Sequence, residues 1–217
     1  ARTDPDAPKH RGISIFLLDM KQPGITVRPL WHIGHGRTNE VFFDDVRVPG
    51  DRMIGEKNRG WYVQASGLDA ERSRIGAYSS SRRTFEEFTD FCKERVQRGR
   101  PLTKDPVVRN RLVDYAIDLE MWRWFCWRVA WMQSANKVFT SEVSLAFLHQ
   151  KTVNPKWGHT AAAILGMYGV LQGDSKWAPL SGRIEYIYRW AFYTHGHGTN
   201  EIQKDIIATR GLGLPRS

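Results

Sequence analysis

The chain has 217 residues, a formal net charge of +9, and a composition that is 41% hydrophobic with nine tryptophans. This composition excludes an intrinsically disordered segment and supplies enough apolar side chains for a folded core. The basic balance favours an anionic partner: nucleic acid, a membrane surface or a phosphorylated small molecule. The densest basic clusters, "SRRTFEE" (81–87) and "KERVQRGR" (93–100), also contain acidic residues. They therefore favour solvated helix faces, or anion binding by a few arginines, over a nucleic-acid surface.

Two isolated cysteines, Cys92 and Cys126, argue against a disulfide framework and a paired zinc knuckle. They favour a reducing compartment, so we expect a cytoplasmic protein. The longest apolar stretch, residues 161–171, is about half of the ~20 residues that a membrane span needs, and glycines interrupt it. The stretch "ARTDPDAPKHRG" has none of the apolar character of a signal peptide. We therefore expect no membrane association.

Residues 12–48 show a strand-like pattern of short β-branched and aromatic runs separated by glycine and proline. The predicted strands cover 13–19, 25–30 and 40–49. In the third run apolar residues alternate imperfectly with polar ones, which predicts a half-buried strand. The alternating apolar residues are Val41, Phe43, Val46 and Val48. Residues 49–60 are predicted to form a loop.

After residue 60 the apolar residues recur with the period of a helix. Helical segments are predicted over 61–98, 105–136, 140–165, 183–192 and 199–210. Gly99 and Pro101 supply a stop for the first of them. Pro155 lies inside the third and predicts a kink or a break near Asn154.

The second helix has the clearest start and the clearest apolar face. Asp105 followed by Pro106 is a favourable N-cap and first-turn pair. Apolar residues then recur every three or four positions, as in an amphipathic helix. They are Val108, Leu112, Tyr115, Leu119, Trp122, Cys126, Val129 and Met132.

These elements predict a mainly α fold with a short β segment. Three long amphipathic helices with short connections are typical of an antiparallel bundle. The strand segment is too short to bury a sheet by itself. We therefore expect upstream residues or another chain to complete it.

Six stretches of the sequence resemble the acyl-CoA dehydrogenase family, in the same order and with fitting gaps. They are "HRGISIFLLDMKQPGITVRPL", "NEVFFDDVRVP", "SGLDAER", "RVQRGRPL", "LGMYG" and "GTNEIQKDIIATRGLGLPR". The resemblance implies that residues 1–57 are the end of the family's middle β-domain. It implies that 58–217 are the C-terminal domain, an antiparallel bundle of the four-helix type. The family's N-terminal helical domain and the first part of its β-domain are expected to come from elsewhere.

The resemblance also implies a reaction, the α,β-desaturation of an acyl-CoA thioester. In this family a carboxylate removes the α-proton while a hydride passes from the β-carbon to FAD. The implied partners are an acyl-CoA substrate, an electron-transfer flavoprotein-type acceptor, and a second subunit, identical or paralogous, in a dimer or tetramer. The acyl group is expected to be a fatty, branched or steroid side-chain thioester.

The family places its base at one of two positions. Most members carry a glutamate immediately before the Gly-Thr of the last motif, where this chain has His197. Others, of the isovaleryl and long-chain type, carry it on the first bundle helix, and the resemblance then implies Glu71 as the base. The spacing of Glu71 alone favours an ordinary solvated helical glutamate. Asp69 and Arg72 would face the pantetheine part of CoA, or form an ordinary surface charge pair.

The resemblance assigns the FAD contacts to three motifs. Arg95 would bind the pyrophosphate of a neighbouring subunit's FAD, with Gln97 beside it, because a guanidinium fork suits phosphate. Gly166 and Gly169 would let the backbone approach the adenosine part. Departures from the family pattern occur beside both sites, at Arg98, Ala163 and Met167.

The terminal motif supplies two more expected FAD contacts, Thr199 and Glu201. Both residues also suit a helix start, with Thr199 as the N-cap and Glu201 in the first turn. A metal site at His195 and His197 is not favoured, because no nearby ligands complete a set. A catalytic role for His197 stays open, since imidazole titrates near neutral pH.

Two other functions are considered. The altered FAD motifs are compatible with a non-catalytic partner subunit of a heteromeric acyl-CoA dehydrogenase. A DNA-associated flavoprotein is less favoured, because the aromatic and basic run "WRWFCWRVAW" (122–131) is interpreted as packing. Its Trp122, Cys126 and Val129 lie on the predicted core face.

Overall fold

The computed structural model describes the backbone of residues 1–32, 36–71, 75–137, 139–190 and 198–215, and their side chains except those of 66, 68–71 and 75. Two compact units are present. The first comprises Ala1–His32 and Arg37–Arg72, and the second comprises Ile33–Gly36 and Ser73–Ser217.

The first unit is built from short antiparallel strand pairs. Strand β1 (Ile15–Phe16) pairs with β4 (Met53–Ile54). Strand β2 (Ile25–Trp31) pairs with β3 (Arg37–Phe43). The first helix, α1 (Gly60–Glu71), follows them and packs against β1.

Strands are present where the sequence predicts them, but their length and burial differ from the prediction. The strand predicted over 13–19 has two residues, the predicted loop 49–60 contains β4, and the strand predicted over 40–49 ends at Phe43. The prediction of a half-buried third strand is wrong, because every residue of β3 is exposed. A two-stranded ribbon has no second layer to cover either face, so its apolar side chains stay open to solvent.

The second unit is a helical bundle. It contains α2 (Ile75–Glu94), α3 (Pro106–Ser134), α4 (Ser141–Leu165), α5 (Arg183–Trp190) and α6 (Asn200–Ile206). Helix α3 packs between α2 and α4, and α4 also packs against α5 and α6. The predicted fold class, mainly α with a short β segment, is confirmed.

The bundle core is aromatic. Tyr115 of α3 stacks on Trp157 of α4 at a ring-centre distance of 4.2 Å. Phe88 of α2 meets Trp157 edge-on at 5.2 Å. Edge-to-face and offset stacks of this kind add to the stabilisation by area burial. The three long helices are therefore joined through Trp157.

The predicted start and core face of α3 are confirmed. The Asp105 carboxylate accepts hydrogen bonds from the backbone N–H of Val107 (2.9 Å) and Val108 (3.4 Å). Seven of the eight predicted core residues are buried. They are Leu112, Tyr115, Leu119, Trp122, Cys126, Val129 and Met132.

Two helix predictions need correction. The helix predicted over 61–98 is not continuous to residue 98, because α2 ends at Glu94 and a tight hairpin follows. Of the kink or break predicted near Asn154, the break does not occur, because α4 runs through Pro155. Val153 and Trp157 are buried on either side of the proline, so packing compensates for the lost backbone hydrogen bond.

The aromatic run over 122–131 was only partly interpreted correctly. Trp122 and Cys126 are buried, but Trp124, Trp127 and Trp131 are more than half exposed. Helix α3 is therefore apolar on two opposite faces. No helix in the described ranges is both long enough and apolar enough to cross a membrane.

Candidate functional site

A short hairpin at the end of α2 carries two of the predicted site residues, Arg95 and Gln97. Strands β5 (Val96–Gln97) and β6 (Arg100–Pro101) pair antiparallel. Arg98 (φ 50°) and Gly99 (φ 75°) form the turn between them, and positive φ at both positions is what a type I′ turn requires. The hairpin is closed by the Leu102 N–H, which donates to the Arg95 carbonyl at 2.9 Å.

Both hairpin residues are solvent-accessible. Arg95 and Gln97 are exposed, and a cleft of about 230 Å³ is lined in part by Gln97, Arg98 and Arg100. Arg100 is 3.7 Å from the carboxylate of Asp105. The arrangement offers an anion several cationic and amide groups without burying any of them.

The predicted glycine pair, Gly166 and Gly169, lies in a 3₁₀ turn at the end of α4. Gly166 has φ 60° and ψ −137°. A Cβ at Gly166 would meet no atom within 4 Å, whereas a Cβ at Gly169 would lie 2.7 Å from the Ala162 carbonyl oxygen. Gly169 thus allows the turn to pack on α4, and Gly166 leaves open space on its outer side.

The structure brings these two motifs together. The guanidinium carbon of Arg95 lies 5.9 Å from the centre of the Tyr168 ring, within the range of a cation–π contact. Tyr168 is 48% exposed. It lies inside the "LGMYG" motif, but no local sequence signal indicates a role for it, because the contact depends on the packing of α2 and α4.

The start of α6 forms a third group. The Thr199 hydroxyl accepts from the Ile202 N–H at 3.4 Å, so the predicted N-cap is confirmed. Glu201 is exposed in the first turn. The carbonyl of Gly198 accepts a hydrogen bond from Lys151 Nζ on α4. Lys151 was not predicted, and no local sequence signal indicates it.

The predicted base and CoA-facing residues lie at the edge of the described chain. Asp69 and Glu71 belong to the last turn of α1, and their side chains are outside the described residues. Arg72, His195 and His197 are outside them as well. The positions of these five side chains therefore stay predictions.

Other reactive groups of the bundle are buried in its core. Cys92 is fully buried, and burial raises the pKa of its thiol to about 12. Burial also raises the pKa of Tyr115. A thiol with this pKa is protonated at neutral pH and is a poor nucleophile. Within the described part of the chain, no three His, Cys, Asp or Glu residues form a group that could hold a metal ion.

The groups at the hairpin and the 3₁₀ turn fit a dinucleotide cofactor such as FAD. An exposed guanidinium can bind phosphate, the exposed Tyr168 ring beside it can contact a flat base, and the open space at Gly166 admits a ligand close to the backbone. The fit concerns the phosphate and adenosine end of the cofactor.

Comparison with known proteins gives consistent results. The family model described as "Acyl-CoA dehydrogenase, C-terminal domain" matches residues 58–212. Acyl-CoA dehydrogenase IpdE1 of Mycolicibacterium smegmatis is 30% identical over 220 residues, covering 100% of this chain and 53% of its own. The chain spans about half the length of the curated relatives it matches.

Two solved structures have the same fold over the whole chain. The "Tcur3481-Tcur3483 steroid ACAD" has a TM-score of 0.86 and 30% identity, and the match covers 100% of this chain and 56% of that one. The ChsE4-ChsE5 complex from Mycobacterium tuberculosis has a TM-score of 0.84 and 28% identity, again over 100% of this chain and 56% of that one.

Proposed function

Because the chain belongs to the acyl-CoA dehydrogenase family, we propose that the protein of which it is a part is an FAD-dependent acyl-CoA dehydrogenase. The contact between Arg95 and Tyr168 carries this proposal, since it joins two motifs that the family resemblance assigns to FAD. We further propose that residues 1–57 are the end of the β-domain and that 58–217 are the helical domain. The proposed location is the cytoplasm.

In this proposal the described residues hold the cofactor at its phosphate and adenosine end. Arg95 binds the pyrophosphate of a neighbouring subunit's FAD, with Gln97 beside it on β5. Gly166 and Gly169 let the turn after α4 approach the adenosine. When bound, FAD supplies the acceptor for the hydride that leaves the β-carbon of the thioester. Thr199 and Glu201 contact the cofactor from the start of α6, and an electron-transfer flavoprotein takes the electrons.

Glu71 is the proposed base, with His197 as the alternative. A carboxylate that removes an α-proton must have its pKa raised toward neutrality by an apolar, water-poor surrounding. The chain has a glutamate at the end of α1 and a histidine at the other position where the family carries its base. If the base lies on α1, no glutamate is needed at the second position, and the histidine there is explained. Asp69 and Arg72 are proposed to face the CoA.

The proposed substrate is a bulky acyl-CoA, such as a branched or steroid side-chain thioester. The support comes from the steroid acyl-CoA dehydrogenase, which matches the whole chain with a TM-score of 0.86. We also propose that the absence of the family's usual glutamate before Gly198 leaves room for a bulky or branched acyl chain.

A second candidate is a non-catalytic subunit of a heteromeric enzyme. The departures at Arg98, Ala163 and Met167 favour it, and a solved relative is a complex of two named proteins. In that case the residues of the hairpin would support FAD bound by a paralogous partner.

Absorbance of the purified full-length protein separates the two candidates. The enzyme proposal predicts a yellow protein with a flavin spectrum that bleaches when an acyl-CoA substrate is added anaerobically. A colourless protein that gains flavin only when a paralogous subunit is co-expressed would favour the partner role. A protein that binds no flavin in either state would overturn both.

A further inference from the structure

An open groove lies between α2 and α3 on the surface of the bundle. Its volume is about 450 Å³, which is within the range of about 300–1,000 Å³ for small-molecule sites. We call it the α2–α3 groove. None of its residues belongs to the six motifs that resemble the family. It is lined in part by Phe85, Lys93, Lys104, Arg109, Leu112 and Val113.

One end of the groove is cationic and the other is apolar. The chain reverses direction between α2 and α3, and Phe85 of α2 lies beside Tyr115 of α3 with 5.4 Å between their ring centres. Lys93 at the end of α2 therefore shares the hairpin end of the groove with Lys104 and Arg109, around the start of α3. Along α2, Phe85 is roughly 12 Å from Lys93, toward the other end.

Core packing fixes the apolar half of the groove. The Phe85 ring also meets Trp157 edge-on at 5.5 Å, so contacts with the bundle core hold it in place. Leu112 is 6% exposed, whereas Val113 is 49% exposed. The groove thus presents an ordered apolar surface that is open to solvent. A ligand with an apolar tail gains free energy by displacing water from it.

The cationic half carries charges that are not compensated within the described chain. Lys93 donates a hydrogen bond to the Asp90 carboxylate at 2.7 Å, which offsets its charge. Lys104 and Arg109 are exposed, and neither side chain forms an ion pair with any residue that the structure describes. The Asp105 carboxylate accepts from the backbone at the start of α3, and no Asp or Glu is among the described residues that line the groove. This end therefore attracts an anion.

We propose that the α2–α3 groove binds the anion of a single-chain fatty acid, with its carboxylate at Lys104 and Arg109 and its tail along Phe85 and Val113. An inorganic anion would leave the apolar half uncovered, and a neutral hydrocarbon would leave the two cations without a counterion. A carboxylate joined to an aliphatic chain satisfies both halves. The inference concerns a second ligand site and does not depend on the proposed activity.

Removal of the two cations tests the carboxylate end. Calorimetric titration of the full-length protein with decanoate, below the concentration at which decanoate forms micelles, should show saturable binding. The double variant Lys104→Gln, Arg109→Gln should raise the dissociation constant about tenfold, because two charge-assisted contacts are lost. The matched control, Arg111→Gln with Lys137→Gln, removes the same charge at exposed positions outside the groove. It should bind decanoate as the wild type does.

A charge placed in the apolar half tests the tail end. Val113→Glu should raise the dissociation constant for decanoate about tenfold or more, because it puts a carboxylate where the tail lies. Val107→Glu is the matched control, since Val107 is 59% exposed and lies on α3 outside the groove. It should leave the affinity unchanged. Circular dichroism should show every variant folded.

Two further ligands define what the groove recognises. Decan-1-ol has the same tail without the charge and should bind about tenfold more weakly than decanoate. A CoA thioether that cannot be oxidised fills the acyl pocket of the proposed enzyme, and decanoate should still bind in its presence.

Four results would overturn the site. The first is a wild-type protein that shows no saturable binding of decanoate. The second is equal affinity of the Lys104→Gln, Arg109→Gln variant and its control. The third is decan-1-ol that binds as tightly as decanoate, which would remove the cations from the site. The fourth is complete displacement of decanoate by the CoA thioether, which would place it in the acyl pocket.

Discussion

The guanidinium carbon of Arg95, at the end of α2, lies 5.9 Å from the ring centre of Tyr168, in the turn that ends α4. Seventy-three positions separate the two residues in the chain. Their contact joins the two motifs to which the family resemblance assigns the pyrophosphate and adenosine of FAD. A guanidinium that rests on an aromatic ring is held in place while its N–H groups remain available to an anion.

Replacing Arg95 should weaken flavin binding. We expect Arg95→Ala to raise the dissociation constant for FAD about 10- to 100-fold, the loss typical of a charge-assisted hydrogen bond. Fluorescence titration of the flavin-free protein with FAD measures the change. Arg111→Ala, at an exposed arginine on α3, is the control and should bind FAD as the wild type does. Equal affinities for the two variants would remove Arg95 from the site.

Adding a methyl group at Gly169 should destabilise the fold. Its Cβ would lie 2.7 Å from the Ala162 carbonyl oxygen and 2.8 Å from the Ala162 Cα, both backbone atoms. We expect Gly169→Ala to lower the free energy of unfolding by about 1–3 kcal/mol, as overpacking does. Urea denaturation measures it. Gly67→Ala, in α1 with no atom within 4 Å of its added Cβ, should raise stability by up to about 1 kcal/mol.

Removing the N-cap of α3 should cost stability. Asp105 accepts from two backbone N–H groups at the start of the helix. Asp105→Ala should lower the free energy of unfolding by about 1 kcal/mol, and Asp105→Asn should lose much less. Thermal unfolding of both variants shows whether the hydrogen bonds of the cap or the negative charge of Asp105 provides the stabilisation. An equal loss of stability in the two variants would mean that the charge provides it.

Alkaline pH should reduce stability partly through Cys92. Burial raises the pKa of its thiol from 9.0 to about 12, so between these pH values the unfolded chain holds fewer protons than the folded one. The stabilisation is complete below pH 9 and is lost as the pH rises toward 12. Cys92→Ala should show a shallower loss between pH 8 and pH 10.5. Tyr115, whose pKa burial also raises, should leave part of the dependence in place.

The sequence predicted the bundle well because local chemistry specifies its helices. The Asp105–Pro106 pair starts α3, and residues spaced three or four apart define its core face. The family indicated by six short motifs is confirmed over residues 58–212. These features depend on neighbours in the chain, which a single sequence displays directly.

What the sequence missed depends on contacts between distant segments. Tyr168 acquires a partner only because α2 and α4 pack together, and Lys151 reaches Gly198 only across α4 and α6. Strand β3 was predicted to be half-buried because its apolar residues alternate with polar ones. Alternation shows which side chains favour burial, but it does not show whether another layer of the fold covers them, and every residue of β3 is exposed.

The identity of the base is the most direct test of the account. The measurement is the rate at which bound flavin loses its absorbance when the full-length protein is mixed anaerobically with a panel of fatty, branched and steroid side-chain acyl-CoA thioesters. Glu71→Gln should lower this rate about 100- to 10,000-fold, the usual contribution of a general base, and His197→Gln should stay within about tenfold of wild type. A wild-type rate for Glu71→Gln, with the loss appearing instead in His197→Gln, would contradict the account.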